Sequence, residues 1–486
     1  MSKAVLKLNF DYKRGNIAII DIGSNSVRLM IYPNFGKNPF PLFNKRVNCK
    51  LGEKLFQTGK LSIRSISKAL KALQRFSIII KNMGVNHIFP IATAAVRNSK
   101  NNKEFVLPAE KILSTKIRIL SKDEEAELAA LGLMSNMPIK NGLVADLGGG
   151  SVELILIIKG KIKNSVSIDI GHLTPISEKE AYDIIKKIKW IKKSKDLPLY
   201  GTGGSFRSLG SAYIKYYDYP LFLIHGLTLN VEKAIILLDK MSDVKKIFPG
   251  IPENRMSTIS NASKIMQNVI LNAEPKKIII SGTSIRDGII SKLNPDRSLN
   301  SNKQSIIKSM FENQRFSGMQ NQIKKLFLPL LDQLIDPSLK KLFKLSCQLL
   351  DIAWDKNTDL KGIIAVNKIL SLPLKNLLHN ERIWIALVIS FRYVGLKMEK
   401  TIPNKIVNLL SIDEKKDAFT IGMGLRFCYI FSAGNPKNLE TMKFILEGET
   451  LVCKLNESGK LLFDHNSERR FKAFANSCNL EHKVVN

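Results

Sequence analysis

The segment Ala18–Tyr32 aligns without a gap on Leu143–Ile157, and no other feature of the chain limits its fold as much. Asp21 falls on Asp146, Gly23 on Gly148, Ser26 on Ser151, Val27 on Val152 and Leu29 on Leu154. Each copy is an apolar run, a turn of Asp, Gly and Ser, and a second apolar run, which reads as a β-hairpin. One such turn is ordinarily just a hairpin. Two copies, each with Asp at a strand end, predict two lobes of similar topology facing each other across a cleft.

The rest of the chain supports this frame. Its 486 residues allow two to four domains at roughly 150 residues each. The apolar share of 44% is too high for a disordered chain. Ser65–Met83 has helical periodicity, and His87–Thr93 and Ile117–Leu120 read as strands. Ser121 is placed to cap a helix whose first turn holds Asp123, Glu124 and Glu125. Lys276–Thr283 is a late strand ending in a glycine turn. Strands and helices thus alternate to about residue 300, the mark of α/β architecture. Asn294–Gln304 is a candidate linker, and helices are expected over Ile306–Phe316, Met319–Ile335, Ser338–Ala353 and Glu381–Tyr393. Gly448–Asp464 alternates more and is expected to contain strands. The expected division is a first lobe at 1–138, a second at 139–300 and a mainly helical domain at 301–486.

Composition excludes several classes. Met1–Asn16 has no signal-peptide apolar core, and no uncharged apolar run approaches the ~18 residues that span a bilayer. The five cysteines are scattered without CxxC spacing, which fits a reducing compartment. A cytoplasmic protein without a membrane partner is expected. Lys and Arg number 75 against 42 Asp and Glu, a formal charge of +33. Such a charge is either a solvated surface or a funnel for a polyanion. It does not by itself separate nucleic acid from polyphosphate.

Several motifs carry chemistry. In Asp21–Arg28 a turn of Gly23, Ser24, Asn25 and Ser26 can direct N–H groups and side-chain donors at phosphate oxygens. Asp146–Glu153 does the same with Gly148, Gly149, Gly150 and Ser151, and its two flanking carboxylates suit a hard divalent cation. Ile91–Asn98 ends a strand and opens a helix at Thr93, so that Arg97 is a candidate phosphate clamp. The turn Gly201–Arg207, with Gly203 and Gly204, can enclose a phosphate chain. Glu125, one turn into its helix, would ordinarily be a surface acid. The six histidines lack metal-ligand spacing and are read as structural.

Taken together and in order, DIGSNSVR, ATAAVRN, LSKDEEAELAALG, DLGGGSVEL, DIGHLT, GTGGSFRSLG and SGTSIRDG resemble the exopolyphosphatase and guanosine pentaphosphate phosphohydrolase family, from about Ile17 to Ile290. The resemblance implies two ribonuclease H-like lobes similar to actin, Hsp70 and sugar kinases, followed by a helical domain related to HD phosphohydrolases. It implies that Glu125 is the general base for water and that Asp146 and Glu153 lie at a catalytic Mg²⁺. By the same resemblance Ser24, Asn25, Ser26, Thr93, Arg97, Gly148, Gly149, Gly150, Ser151, Gly203 and Gly204 surround the phosphates. Arg28 would reach the more distal substrate, and a homodimer is implied. Lys122 and Asp287 depart from the family's usual Gly and Glu. The C-terminal region has only the reversed Asp464-His465 in place of a His-Asp dipeptide, so a second metal-dependent site is not expected there.

The reading that follows is Mg²⁺-dependent release of terminal phosphate from inorganic polyphosphate. Guanosine pentaphosphate (pppGpp) offers the same anhydride and is the alternative substrate. Two further classes remain at this point: an ATP-dependent kinase on the same fold, and a non-enzymatic polyanion-binding protein. Nucleic acid is not specifically indicated, since aromatic residues make up only 7% and form no visible stacking motif.

Overall fold

Strand β1 (Asn16–Ile22) explains why its sequence is an unbroken apolar run, because Ile17, Ala18, Ile19 and Ile20 are all fully buried. A strand covered on both faces cannot alternate with polar residues. Ala18 and Ile20 join one core with helix α1 (Ile63–Asn82), while Ile17 and Ile19 join a second with Leu128 and Ile289. The computed structural model describes residues 15–33, 41–243, 247–293, 318–374 and 376–485. Most of Met1–Asn16, the linker Asn294–Gln304 and the helix expected over Ile306–Phe316 lie outside the described residues.

In the first lobe β1, β2 (Ser26–Tyr32), β3 (Phe43–Asn48), β4 (Val85–Ala92) and β5 (Arg118–Ile119) form one sheet in the order β3-β2-β1-β4-β5. The hairpin strands are antiparallel, whereas β4 and β5 run parallel to β1. In the second lobe β6 (Gly142–Leu147), β7 (Val152–Ile158), β8 (Lys161–Ile168), β9 (Pro198–Thr202), β10 (Leu227–Leu229) and β11 (Lys277–Ile280) are ordered β10-β11-β9-β6-β7-β8. From β8 to β11 this repeats the first sheet strand for strand, with β10 added antiparallel at the edge. The repeat seen in two hairpins therefore extends to two whole sheets. These are the two mixed-sheet, actin-like lobes implied by the resemblance.

Helix α1 and α2 (Asn102–Leu113) cover one face of the first sheet. On the other face lies α3 (Lys122–Met134), which starts from a capping box: Ser121 Oγ accepts from the Glu124 amide, and Glu124 accepts from the Ser121 amide at 2.9 Å. The second lobe adds α4 (Glu178–Lys186), α5 (Gly203–Tyr216), α6 (Val231–Ser242) and α7 (Met256–Ala273) around its own core. Helix α8 (Ile285–Leu293) follows β11 but returns to the first lobe, where Ile289, Ile290 and Leu293 pack with Ile17, Ile19 and Leu128. It crosses α3 at two glycines. A Cβ on Gly288 would lie 2.0 Å from Leu128 O, and one on Gly132 would lie 2.5 Å from Ser284 O.

The chain divides into the units Met1–Ile306 and Ile307–Asn486. The second unit is mainly helical, with α9 (Met319–Phe327), α10 (Lys340–Leu349), α11 (Lys361–Ser371), α12 (His379–Val394), α13 (Ile412–Phe431) and α14 (His465–Ser477). Its strands are β12 (Met442–Glu447), β13 (Thr450–Leu455) and β14 (Glu481–Val485). The alternation noted at Gly448–Asp464 is β13 alone, and a short helix follows it at Glu457–Leu462. Rings of Phe327, Phe427, Phe444, Phe471 and Phe474 meet in its core. Asp464, half of the reversed dipeptide, caps α14 by accepting from the Ser467 amide at 2.7 Å.

Candidate active site

The two hairpin tips meet at the bottom of a cleft between the lobes of the first unit. Equivalent hydrogen bonds close them: Gly23 N–H to Ser26 O at 3.0 Å, and Gly148 N–H to Ser151 O at 2.9 Å. Their carbonyls are tied from behind. Ser24 O accepts from Gly52, Asn25 O from Cys49 and Lys50, Gly148 O from His172, and Gly149 O from Leu173. The amides of Ser24, Asn25, Gly149 and Gly150 have no acceptor among the described residues. Free amides on paired turns are anion hosts. The tips touch closely enough that a Cβ on Gly149 would lie 2.7 Å from Ser24 Cβ.

The equivalence breaks at one register position. Asp146 stands opposite Glu153, whereas Asp21 stands opposite Arg28. Asp146 is 8% exposed and Glu153 2%. Burial pushes Asp146 up to about 6, against the pull of Arg207. Glu153 is held well above the carboxylate range by burial and by Glu125 and Asp146, although Ser167 donates to it at 2.9 Å. Asp21 is ion-paired with Arg286 at the start of α8.

Glu125 faces the same cleft and is only 6% exposed, despite its place in a first helical turn. Burial pushes its carboxyl up to about 7, Arg97 opposes this, and the charges of Asp146 and Asp21 add to it. Arg97 Nη1 donates to Glu125 Oε2 at 2.7 Å and to Leu120 O at 2.9 Å. Lys122 turns away from the acid and pairs with Asp169 at 2.5 Å. Asp287 accepts from the Ser284 amide at 2.9 Å, which ties the first turn of α8.

Among the residues proposed from sequence, Glu125, Asp146, Glu153, Ser24, Asn25, Ser26, Arg28, Thr93, Gly148, Gly149, Gly150, Ser151, Gly203 and Gly204 line this one cleft. Arg97 does not line it; the side chain stands behind Glu125. Sequence reasoning missed Arg46, Arg207, Arg255, Arg286 and His172, which line it as well. Arg207 and Arg286 sit inside motifs already singled out, but nothing in their spacing marks them. Arg46 is the β3 neighbour of Arg28 in register, legible only once β3 is recognised. Arg255 carries no sequence signal. Two like charges directly opposite each other on neighbouring strands are unfavourable on their own, so Arg28 and Arg46 fit a wall that receives an anion.

Asp146 and Glu153 could hold a cation. They offer oxygen donors only, and among the described residues no cluster of three or more His, Cys, Asp or Glu converges as a ready-made cage. That donor set fits Mg²⁺, which keeps several waters and takes phosphate oxygens beside one or two carboxylates.

The sequence profile of the Ppx/GppA phosphatase family matches residues 31–296, more than half of the chain. The chain belongs to the Ppx/GppA phosphatase family. A second profile, that of the exopolyphosphatase C-terminal region, matches residues 338–480. Among curated proteins, this Ppx/GppA chain is 28% identical over 329 residues to retrograde regulation protein 2 of Saccharomyces cerevisiae, covering 58% of this chain and 56% of that one. It is 27% identical over 340 residues to a bifunctional 3-dehydroquinate synthase/phosphatase of Fusobacterium nucleatum, covering 63% and 48%. The chain thus spans about half the length of the curated relatives it matches. An exopolyphosphatase from Cytophaga hutchinsonii has the same Ppx/GppA-type fold over 58% of this chain and 99% of its own, with a TM-score of 0.52 at 21% identity. No helix among the described residues is long and apolar enough to cross a membrane.

Proposed function

We propose that this chain hydrolyses the terminal phosphoanhydride of inorganic polyphosphate with Mg²⁺. The observation that carries the reading is the polarity of the cleft: buried Glu125, Asp146 and Glu153 share it with Arg28, Arg46, Arg207, Arg255 and Arg286. Phosphoryl transfer asks mainly for positioning and charge neutralisation, and the wall supplies both. Amides of the two tips hold the terminal phosphoryl oxygens. Glu125 takes a proton from water, whose oxygen bonds to the terminal phosphorus as the bond to the bridging oxygen breaks. The shortened chain leaves with that bridging oxygen, its charge met by the guanidinium groups. Neutralising the reacting phosphoryl oxygens is the chemistry that Mg²⁺ at Asp146 and Glu153 supplies when bound.

Polyphosphate is favoured over a nucleotide because no Phe, Tyr or Trp lines the cleft among the described residues, so no aromatic platform awaits a base. The test is phosphate release from long polyphosphate, pppGpp and ATP, with and without Mg²⁺. Efficient turnover of pppGpp with hardly any of long chains would transfer the assignment to the nucleotide. Phosphorylated acceptor in place of free phosphate would make the protein a kinase. Replacing Glu125 by Gln is expected to leave calorimetric binding of polyphosphate intact and to lower turnover by about two to four orders of magnitude. Undiminished turnover in that variant removes Glu125 from the role of base.

A further inference from the structure

Arg255 has no part in holding the fold that any contact reveals. It ends the short helical turn Glu253–Arg255 before α7 and is 8% exposed. Among the described residues its guanidinium meets no hydrogen-bond acceptor and no ion-pair partner, yet it lines the cleft. The charges that act on it are cationic: burial, Arg46 and Arg207 together bring it down to about 10. A buried, unpaired cation is strongly destabilising. A chain that keeps one beside two others needs an anion there.

The surroundings are shaped for that anion. The guanidinium lies against Gly204, where a Cβ would stand 1.9 Å from Nη2. Gly204 belongs to the first turn of α5, and that turn is uncapped. Thr202 makes no cap hydrogen bond, and its hydroxyl donates instead to Thr283 O at 2.8 Å. First-turn amides without a cap are an anion site only when something else points to a ligand, and Arg255 does so. His172 lies close enough to Arg255 to feel its charge. It is buried and lines the cleft, its Nδ1 is 3.4 Å from Ser205 Oγ, and its Nε2 is shut off from solvent with no partner among the described residues. Burial and Arg255 hold this imidazole down to about 3, against a hydrogen bond with the Gly148 backbone, so it is neutral and adds no further cation to the cleft. Gly203 fixes where the site begins, since a Cβ there would lie 2.4 Å from Asp146 Oδ1.

We propose that Arg255 and the first-turn amides of α5 form a subsite for a non-reacting phosphoryl group on the leaving side of the scissile bond. The subsite makes a phosphoanhydride chain the ligand class and disfavours phosphomonoesters. This rests on the phosphoanhydride reading above, and the test separates the two. Calorimetry compares tripolyphosphate with orthophosphate, which has no phosphoryl group on the leaving side, in Glu125→Gln protein with and without Arg255→Met. Arg255→Met is expected to weaken tripolyphosphate by roughly tenfold to a hundredfold, the range for hydrogen bonds to charged groups. Orthophosphate affinity should stay put, and the melting temperature of the ligand-free protein should rise because an unpaired charge has gone. Gly204→Ala, which pushes the guanidinium aside, should give the same selective loss. Equal tripolyphosphate affinity with and without Arg255 overturns the subsite while leaving the hydrolase reading intact. A lowered melting temperature with both ligands weakened alike also overturns it, by making Arg255 structural. Failure of the parent protein to bind tripolyphosphate better than orthophosphate overturns the hydrolase reading itself.

Discussion

Arg97 and Arg255 are both guanidinium groups largely shut away from water, and they meet that condition in opposite ways. Arg97 has an acid: it donates to Glu125 at 2.7 Å, while its Nε and Nη2 have no partner among the described residues. Its charge restrains the upward push of burial on Glu125. Arg97→Met removes that restraint, so the carboxyl should move above about 7, and the base works only when deprotonated. The acid limb of the turnover–pH profile is therefore expected to shift to higher pH, with more activity lost at low pH than at high pH. A limb that stays in place would detach either Glu125 from the base role or Arg97 from Glu125. The position of Arg97, at a strand end opening a helix, was legible in the sequence. Where its side chain turns was not, because Leu120 and Glu125 reach it from the loop after β5 and from α3. The burial of Glu125 was not legible for the same reason: its local sequence describes an ordinary first-turn acid, and the resemblance alone assigned it the role of base, because what buries it lies far away in the chain.

At the scale of elements, α3 carries Glu125 and α8 carries Arg286, and the two helices cross where Gly132 and Gly288 leave no room for a Cβ. The glycines that end AELAALG and SIRDG thus serve the approach of two helices, which in turn sets Glu125 and the partner of Asp21. Gly288→Ala should force the helices apart at a cost of about 1–3 kcal/mol, the usual range for overpacking. A lower melting temperature together with slower phosphate release is the expected result, and an unchanged melting temperature would contradict the crossing. The hairpins were readable because an alignment without gaps repeats an entire strand–turn–strand unit. Strands β3 and β8 escaped because they are edge strands, half exposed and rich in polar residues, so no apolar run announces them. Helix α8 was visible as a glycine turn, but its return to the first lobe is a long-range fact that periodicity does not encode.

For the whole molecule, three buried carboxyl groups in one cleft make stability depend on pH and on cation. Burial raises Asp146 to about 6 and Glu125 to about 7, and raises Glu153 further above its ordinary value. A group raised on folding favours the folded state below its unfolded value of about 4 and loses that contribution as pH climbs through the folded one. The metal-free protein should therefore lose this contribution between about pH 4 and the region above 7. Because ligands must be deprotonated to bind a cation, Mg²⁺ is expected to raise the melting temperature more at pH 8 than at pH 5. Asp146→Asn should shrink that difference. An equal Mg²⁺ effect at both pH values would count against the carboxylate pair as its host.

The duplicated fold would be electrically even if its two tips had stayed alike. Placing Arg28 opposite Asp21 and Glu153 opposite Asp146 turns a two-fold scaffold into a dipole. On the proposed function, a threaded polyanion would have one favoured heading, with its end group at the acid pole and its tail at the guanidinium pole.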